Sequence, residues 1–243
     1  MAEQVTRTAI VTGASKRVGR AIAEALLADG WAVVAHVHHE GDDVPNGALA
    51  VAADLAKLDC AARIFAAAEK RVELLVNCAA RFVDDALATF DGGEFDSHMA
   101  VNVRAPVLLT RAFAEQAGDA GGLVVNLLDS KLSAPNPDFL SYTLSKMALA
   151  GLTELSARAL ATKRIRVNGI APALMLRSEG QDDANFEAMH RFNPLQRGVA
   201  PSDVVGALCY LIDATAVTGQ TITIDGGQRF WALERDVQFL EKK

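Results

Sequence analysis

The strongest constraint on the fold is a rhythm: apolar runs of strand length alternate with helix-length stretches from one end of the chain to the other. The runs are Thr8–Thr12, Ala32–Val37, Ala48–Ala52, Leu74–Asn77, Leu123–Leu128, Arg166–Ile170 and Thr221–Ile224. Between them lie Gly19–Asp29, Asp59–Arg71, Phe95–Ala117, Tyr142–Ala161 and Ser202–Ala214. Strands that read as continuous apolar runs are buried on both faces, and parallel pairing then needs crossover helices. The order predicts an α/β chain with one domain over residues 1–243, built round a seven-stranded, doubly wound parallel sheet. Its 243 residues, 51% of them hydrophobic, are enough to cover both faces of such a sheet. No linker, repeat or low-complexity segment interrupts it. The connection Glu40–Gly47 is too short and too rich in turn residues for a full helix. Leu174–Ala200 is polar, longer than an ordinary loop and follows a strand end, where a lid over the ligand crevice belongs.

Charge and composition exclude several functions. The formal net charge is -6 with no long run of one sign, so the chain lacks the basic stripe that nucleic acid or an anionic membrane would need. The opening MAEQVTRTAIVTG has no basic region followed by a long apolar stretch, and no apolar segment is long enough to span a bilayer. Cys60, Cys78 and Cys209 are far apart and odd in number, the pattern of reduced thiols in the cytoplasm. A small molecule is the expected partner.

The first strand runs into Thr12-Gly13-Ala14-Ser15-Lys16-Arg17-Val18-Gly19 and then a helix. Glycine permits the sharp turn and close approach, and a helix N-terminus offers free N–H groups to a pyrophosphate. No Asp or Glu ends the second strand, where a carboxylate would bind the adenosine ribose diol; the residues there are Ala35-His36-Val37-His38-His39. With Lys16 and Arg17 nearby, this favours NADPH, whose 2′-phosphate a carboxylate would repel, and leaves NADH possible. His36 and His38 share a strand face, which could suggest a metal, but no third ligand accompanies them and none is expected.

Tyr142 and Lys146 stand four apart in a helix and so share a face. An ammonium beside a phenol stabilises phenolate and pulls its pKa down from about 10, making the tyrosine a usable proton donor or acceptor. With Thr12–Gly19, Asp54, Asn77-Cys78-Ala79-Ala80, Asn102, Tyr142-Thr143-Leu144-Ser145-Lys146, Arg166-Val167-Asn168, Ala171-Pro172 and Asp225-Gly226-Gly227, the chain resembles the short-chain dehydrogenases/reductases over nearly its whole length. That resemblance implies a Rossmann-type domain, commonly assembled as a homotetramer. It places the cofactor against Gly13, Ser15, Arg17, Val18 and Gly19, and against His36, His38 and His39 at the adenosine end. Asp54 and Leu55 would meet the adenine, and Asn77, Cys78, Ala79 and Ala80 the ribose side. Leu127, Tyr142, Lys146, Pro172, Ala173 and Met175 complete the cofactor set, and Asn102 would hold a relay water beside Lys146.

Departures from the family pattern narrow the resemblance. Arg17 replaces a usual glycine, Asp129 replaces the usual serine thirteen residues before the tyrosine, and Cys78 and Ala80 replace the commoner residues of that turn. Arg in the loop with Asp in the serine position looks like the pteridine reductase and dihydromonapterin reductase branch, although His39 stands where those enzymes commonly have Arg. The implied substrate contacts are Phe82, Asp129, Tyr142 and Leu174, with Phe82 either stacking on a pterin ring or belonging to the core. Reduction of a ring C=N delivers a proton to nitrogen, and Asp129, partly desolvated, is suited to supply or share it. Alternatively Asp129 caps its loop and Ser130, one residue out of register, does the serine's work on a ketone, quinone or 3-oxoacyl group. A third reading is a nucleotide-sensing protein without turnover, against which the intact Tyr142, Lys146 and Asn102 argue. The tail Gln228–Lys243 carries Arg229, Phe230 and Trp231, and either reaches a neighbouring subunit's site or packs on its own subunit or dimer partner.

Overall fold

The computed structural model describes residues 7–177 and 181–240. Seven strands form one parallel sheet: β1 (Thr8–Thr12), β2 (Ala32–Val37), β3 (Leu49–Ala52), β4 (Val72–Asn77), β5 (Gly122–Leu127), β6 (Ile165–Pro172) and β7 (Thr221–Ile224). Their order is β3-β2-β1-β4-β5-β6-β7, so the chain winds outward from β1 in one direction and from β4 in the other. The crevice between diverging connections therefore opens at the carboxyl ends of β1 and β4, where Thr12 and Asn77 lie.

Among the described residues seven α-helices cover the sheet: α1 (Arg17–Ala28), α2 (Cys60–Ala66), α3 (Gly92–Met99), α4 (Ala105–Ala117), α5 (Leu140–Leu160), α6 (Asp183–His190) and α7 (Pro201–Asp213). Alternate strand residues point to opposite faces. Val11, Val33, Leu74 and Val125 pack with Ile22 and Leu26 of α1 and Leu208 and Leu211 of α7. Ile10, Leu75 and Val124 pack with Ile64 of α2 and Leu109 and Phe113 of α4. Each fully buried aliphatic side chain contributes roughly 1.5–3 kcal/mol of transfer free energy, enough to fix which face each strand residue takes.

Three helical expectations need correction. The helix expected over Asp59–Arg71 stops at Ala66, because Ala67 and Ala68 turn back on Ile64 and Phe65 with tighter i→i−3 bonds to enter β4, which starts two residues earlier than the apolar run. The single helix expected over Phe95–Ala117 is two helices joined by a π turn at Ala100–Arg104. The polar lid contains α6, started by the Asp182 carboxylate accepting from the amides of Ala184 and Asn185. Residues 178–180 of the expected lid lie outside the described residues. Glu40–Gly47 forms no helix, as its turn residues predict. No helix among the described residues is long and apolar enough to cross a membrane.

Candidate active site

A cleft of about 840 Å³ runs along the carboxyl ends of the strands, from the loop after β1 to the start of α5. Its nucleotide end is built by the β1–α1 turn. Gly13 has φ +69°, a left-handed value that favours glycine, and a Cβ on Gly19 would lie 2.2 Å from the Gly13 carbonyl oxygen. Thr12 Oγ1 accepts from the amides of Cys78 and Ala79, tying the β1 and β4 ends together. Arg17 also has a left-handed φ of +54°, a backbone conformation that favours glycine. Its guanidinium donates to the carbonyls of Leu176 and Arg177, a clasp across the cleft to the lid in addition to any phosphate contact.

His36 takes a different part from the one its sequence position suggests. The Gly13 amide donates to its Nδ1, and its Nε2 lies 2.9 Å from the Ala53 carbonyl, which fixes the Nε2–H tautomer. Burial holds the ring below the ordinary histidine range, so it is a neutral strut under the glycine turn. His38 lies beyond the end of β2, so the two rings do not share a strand face. His38 and His39, edge to face at 4.2 Å, line the cleft with Asp42, an acid that the sequence reading did not assign to the site. Asp54 accepts from the Ala56 amide, and both it and the largely buried Leu55 line the cleft. Burial pushes the Cys78 thiol up to about 11, partly opposed by Lys146, so it stays protonated. Ser15, Val18, Ala79, Ala80, Leu127, Pro172, Ala173, Leu174 and Met175 also line the cleft, whereas Asn77 is buried behind it and donates to Asn126. These surfaces fit a dinucleotide: free helix N–H groups, a turn with no room for side chains and a long trough.

At the other end the Tyr142 hydroxyl donates to Asp129 Oδ2 at 3.0 Å. Asp129 Oδ1 accepts from the Lys131 amide, so the carboxylate caps its loop and meets the phenol at once. Burial raises the Asp129 pKa, helped by Asp236 and opposed by the Lys131 amide, Tyr142 and Lys146. Burial and the neighbouring Asp129 charge push Tyr142 well above the usual phenol range. The expected pull of Lys146 towards phenolate is thus outweighed among the protein's own groups. The Lys146 ammonium instead donates to the Leu127 carbonyl at 2.6 Å, and burial lowers its pKa. The site holds a protonated phenol coupled to a carboxyl of raised pKa, a proton donor pair.

Asn102 lies in the π turn, where its side-chain amide donates to the Arg81 carbonyl and to Ser145 Oγ and its oxygen accepts from the Arg81 amide. It therefore fastens the loop after β4 to α5, one residue before Lys146. Phe82, 46% exposed, lines the cleft and stacks on Phe139 at 4.5 Å, with Tyr142 edge-on at 4.7 Å. Ser130 is buried and also contributes to the lining.

Sequence reasoning missed Phe139, Lys131 and the contacts by which the tail is held. Phe139, at the entry to α5 with φ +53°, is stacked between Phe82 and Phe239. Among the described residues the tail packs on its own chain along the cleft. Arg235 Nε donates to both Asp138 oxygens, and the Asp236 amide donates to Asp138 Oδ2 at 2.7 Å. Burial works against the Asp138 charge, yet Arg235 and the Asp236 amide hold its pKa below the usual carboxylate range. These contacts join residues about a hundred positions apart, so spacing could not reveal them.

A family model described as enoyl-(acyl carrier protein) reductase matches residues 13–229. Pteridine reductase 1 of Leishmania tarentolae is 31% identical, with 90% of this chain and 95% of that protein covered. A 3-oxoacyl-[acyl-carrier-protein] reductase of Synechocystis sp. is 28% identical over 93% of this chain and 98% of its own. The crystal structure of FolM alternative dihydrofolate reductase 1 from Brucella canis, complexed with NADP, superposes with a TM-score of 0.84 at 35% identity, covering 92% of this chain and 94% of that one. Glycine turn, Tyr142, Lys146 and matched length agree: the chain belongs to the short-chain dehydrogenase/reductase family of oxidoreductases.

Proposed function

We propose that this chain is an NADPH-dependent reductase of a pterin, dihydropterin or related C=N heterocycle. The observation that carries the reading is the Asp129 carboxyl 3.0 Å from the Tyr142 hydroxyl, where ketone reductases present a hydroxyl. The cofactor, when bound, supplies the hydride to ring carbon. Tyr142 hands a proton to the adjacent ring nitrogen, and Asp129, protonated to higher pH than an ordinary carboxylic acid, shares the resulting deficit. The Lys146–Leu127 hydrogen bond ties α5 to the end of β5 for that transfer, and Asn102 fixes the loop that carries Phe82. Phe82 offers a half-exposed aromatic face to a flat ring. The similarity to pteridine reductase 1 and to a FolM dihydrofolate reductase solved with NADP supports the same substrate class and cofactor.

The second reading, reduction of ketones, quinones or 3-oxoacyl thioesters, is favoured by Ser130 in the cleft lining and by the similarity to 3-oxoacyl reductases. Turnover of NADPH with a dihydropterin and with a 3-oxoacyl thioester separates them. Brisk thioester reduction with no pterin turnover would overturn the first reading. The same reading takes the protein as a cytoplasmic homotetramer. Exposed Leu144, Met147 and Leu155, within one stripe of α5, and Val107 on α4 support a subunit contact there. Sedimentation analysis tests the assembly.

A further inference from the structure

The tail that crosses the cleft brings an acidic side chain into the substrate end, and the chemistry above uses only its charge, not its hydrogen-bonding capacity. Asp236 lines the cleft together with Asp129, Tyr142 and Phe82. Its Oδ1 accepts from the Gln238 amide at 3.1 Å, and its Oδ2 lies 3.4 Å from Lys131 Nζ. Lys131 is the residue whose amide binds Asp129, so the two carboxyl groups are joined through one lysine. A carboxylate has about four lone-pair sites, and these two contacts leave acceptor capacity facing the cleft. The position is held from outside: Arg235 and the Asp236 amide are latched to Asp138, Phe239 stacks on Phe139 at 5.6 Å, and Asn185 donates to the Leu240 carbonyl.

We propose that Asp236, delivered in cis by the C-terminal tail, is a substrate-recognition residue that accepts hydrogen bonds from the amino-pyrimidine edge of the substrate. This rests on the C=N heterocycle reading of the site. Such a ring presents a ring N–H and an exocyclic amino N–H side by side, two donors matching the two oxygens of a carboxylate. A ketone or 3-oxoacyl substrate presents acceptors alone and gains nothing from a carboxylate at that place. Asp236 therefore adds a specificity device beside its electrostatic influence on the proton-donor pair: it selects the far edge of the ring while Tyr142 and Asp129 act at the reducible bond. Asp138 is the positioning residue, because it holds the tail by its backbone amide and by Arg235.

The test uses the full chain with NADPH, a dihydropterin and its counterpart carrying oxygen in place of the 2-amino group. Wild type is expected to favour the amino compound. Asp236→Asn should raise KM for it by about tenfold or more while kcat changes by less than about threefold, and should erase the preference over the oxo compound. Asp138→Asn, which loosens the tail, should raise the same KM with the same small change in kcat, leaving NADPH affinity intact. If wild type reduces the dihydropterin and Asp236→Asn keeps both its KM and its preference, the assignment of Asp236 falls and the reading of the site stands. If wild type reduces no pterin, the reading of the site falls and takes the assignment with it.

Discussion

The two ends of the cleft are made by opposite means. The nucleotide end is local: Thr12 to Gly19 form one continuous turn, and its partners His36, Cys78 and Ala79 lie at the ends of strands adjacent to β1. The substrate end is gathered from Phe82, Asp129, Phe139, Tyr142 and a tail near residue 236, brought together by ring stacking and buried or half-buried ions. A backbone cradle suits a ligand portion common to many enzymes. A side-chain assembly suits the portion that differs between them, since loops can change without disturbing the sheet.

The largest expected effect falls at the substrate end. Tyr142→Phe should lower kcat by roughly 10²–10⁴-fold, the usual cost of losing a general acid, while NADPH affinity measured by fluorescence titration moves little. Full activity in this variant would remove the proton-donor pair from the mechanism.

The cradle is tested by Gly19→Ala. Its methyl would meet the Gly13 carbonyl at 2.2 Å, and overpacking of this kind costs about 1–3 kcal/mol. The expectation is NADPH binding weakened by roughly tenfold or more, with a lowered Tm. A variant that binds NADPH normally would mean that the two loop residues can separate freely.

Arg17 bridges the two ends, so its replacement measures how far they are independent. Arg17→Ala should lower the NADPH over NADH ratio of kcat/KM by about tenfold if the guanidinium also meets the 2′-phosphate. It should raise KM for substrate if the clasp on Leu176 and Arg177 dominates. Comparison of the two constants decides between them.

The smallest effect is on stability. The folded-state pKa of Asp129 is raised, chiefly by burial, so native Asp129 holds its proton more tightly than in the unfolded chain. The stability contributed by that proton is present below the unfolded carboxyl pKa and is lost as pH rises through the raised native value. Asp129→Asn abolishes this titration, so its Tm relative to wild type should increase as pH rises above the unfolded carboxyl range, by roughly 2–4 °C for each kcal/mol. In activity, the wild-type fall of kcat/KM with rising pH should disappear in the variant along with most turnover. An unchanged Tm difference over that rise in pH would show that Asp129 is not desolvated.

The sequence by itself determined the sheet, because apolar strands buried on both faces leave their pattern in consecutive residues, and β1, β2 and β7 begin and end where that pattern does. It also made Gly13 and Gly19 legible, since a backbone turn is specified by its own residues, and it paired Tyr142 with Lys146 through helix periodicity. Only the tertiary structure decided that Asp129 meets Tyr142 while capping its own loop, that His36 is a neutral strut under the glycine turn, and that Arg17 clasps the lid. The same holds for Phe139 within its ring stack and for Asp236 across the cleft. Those contacts join residues up to 160 positions apart. Local periodicity carries no information about such pairs, whose meeting depends on strand order, on helix ends and on where the returning tail finds its partners.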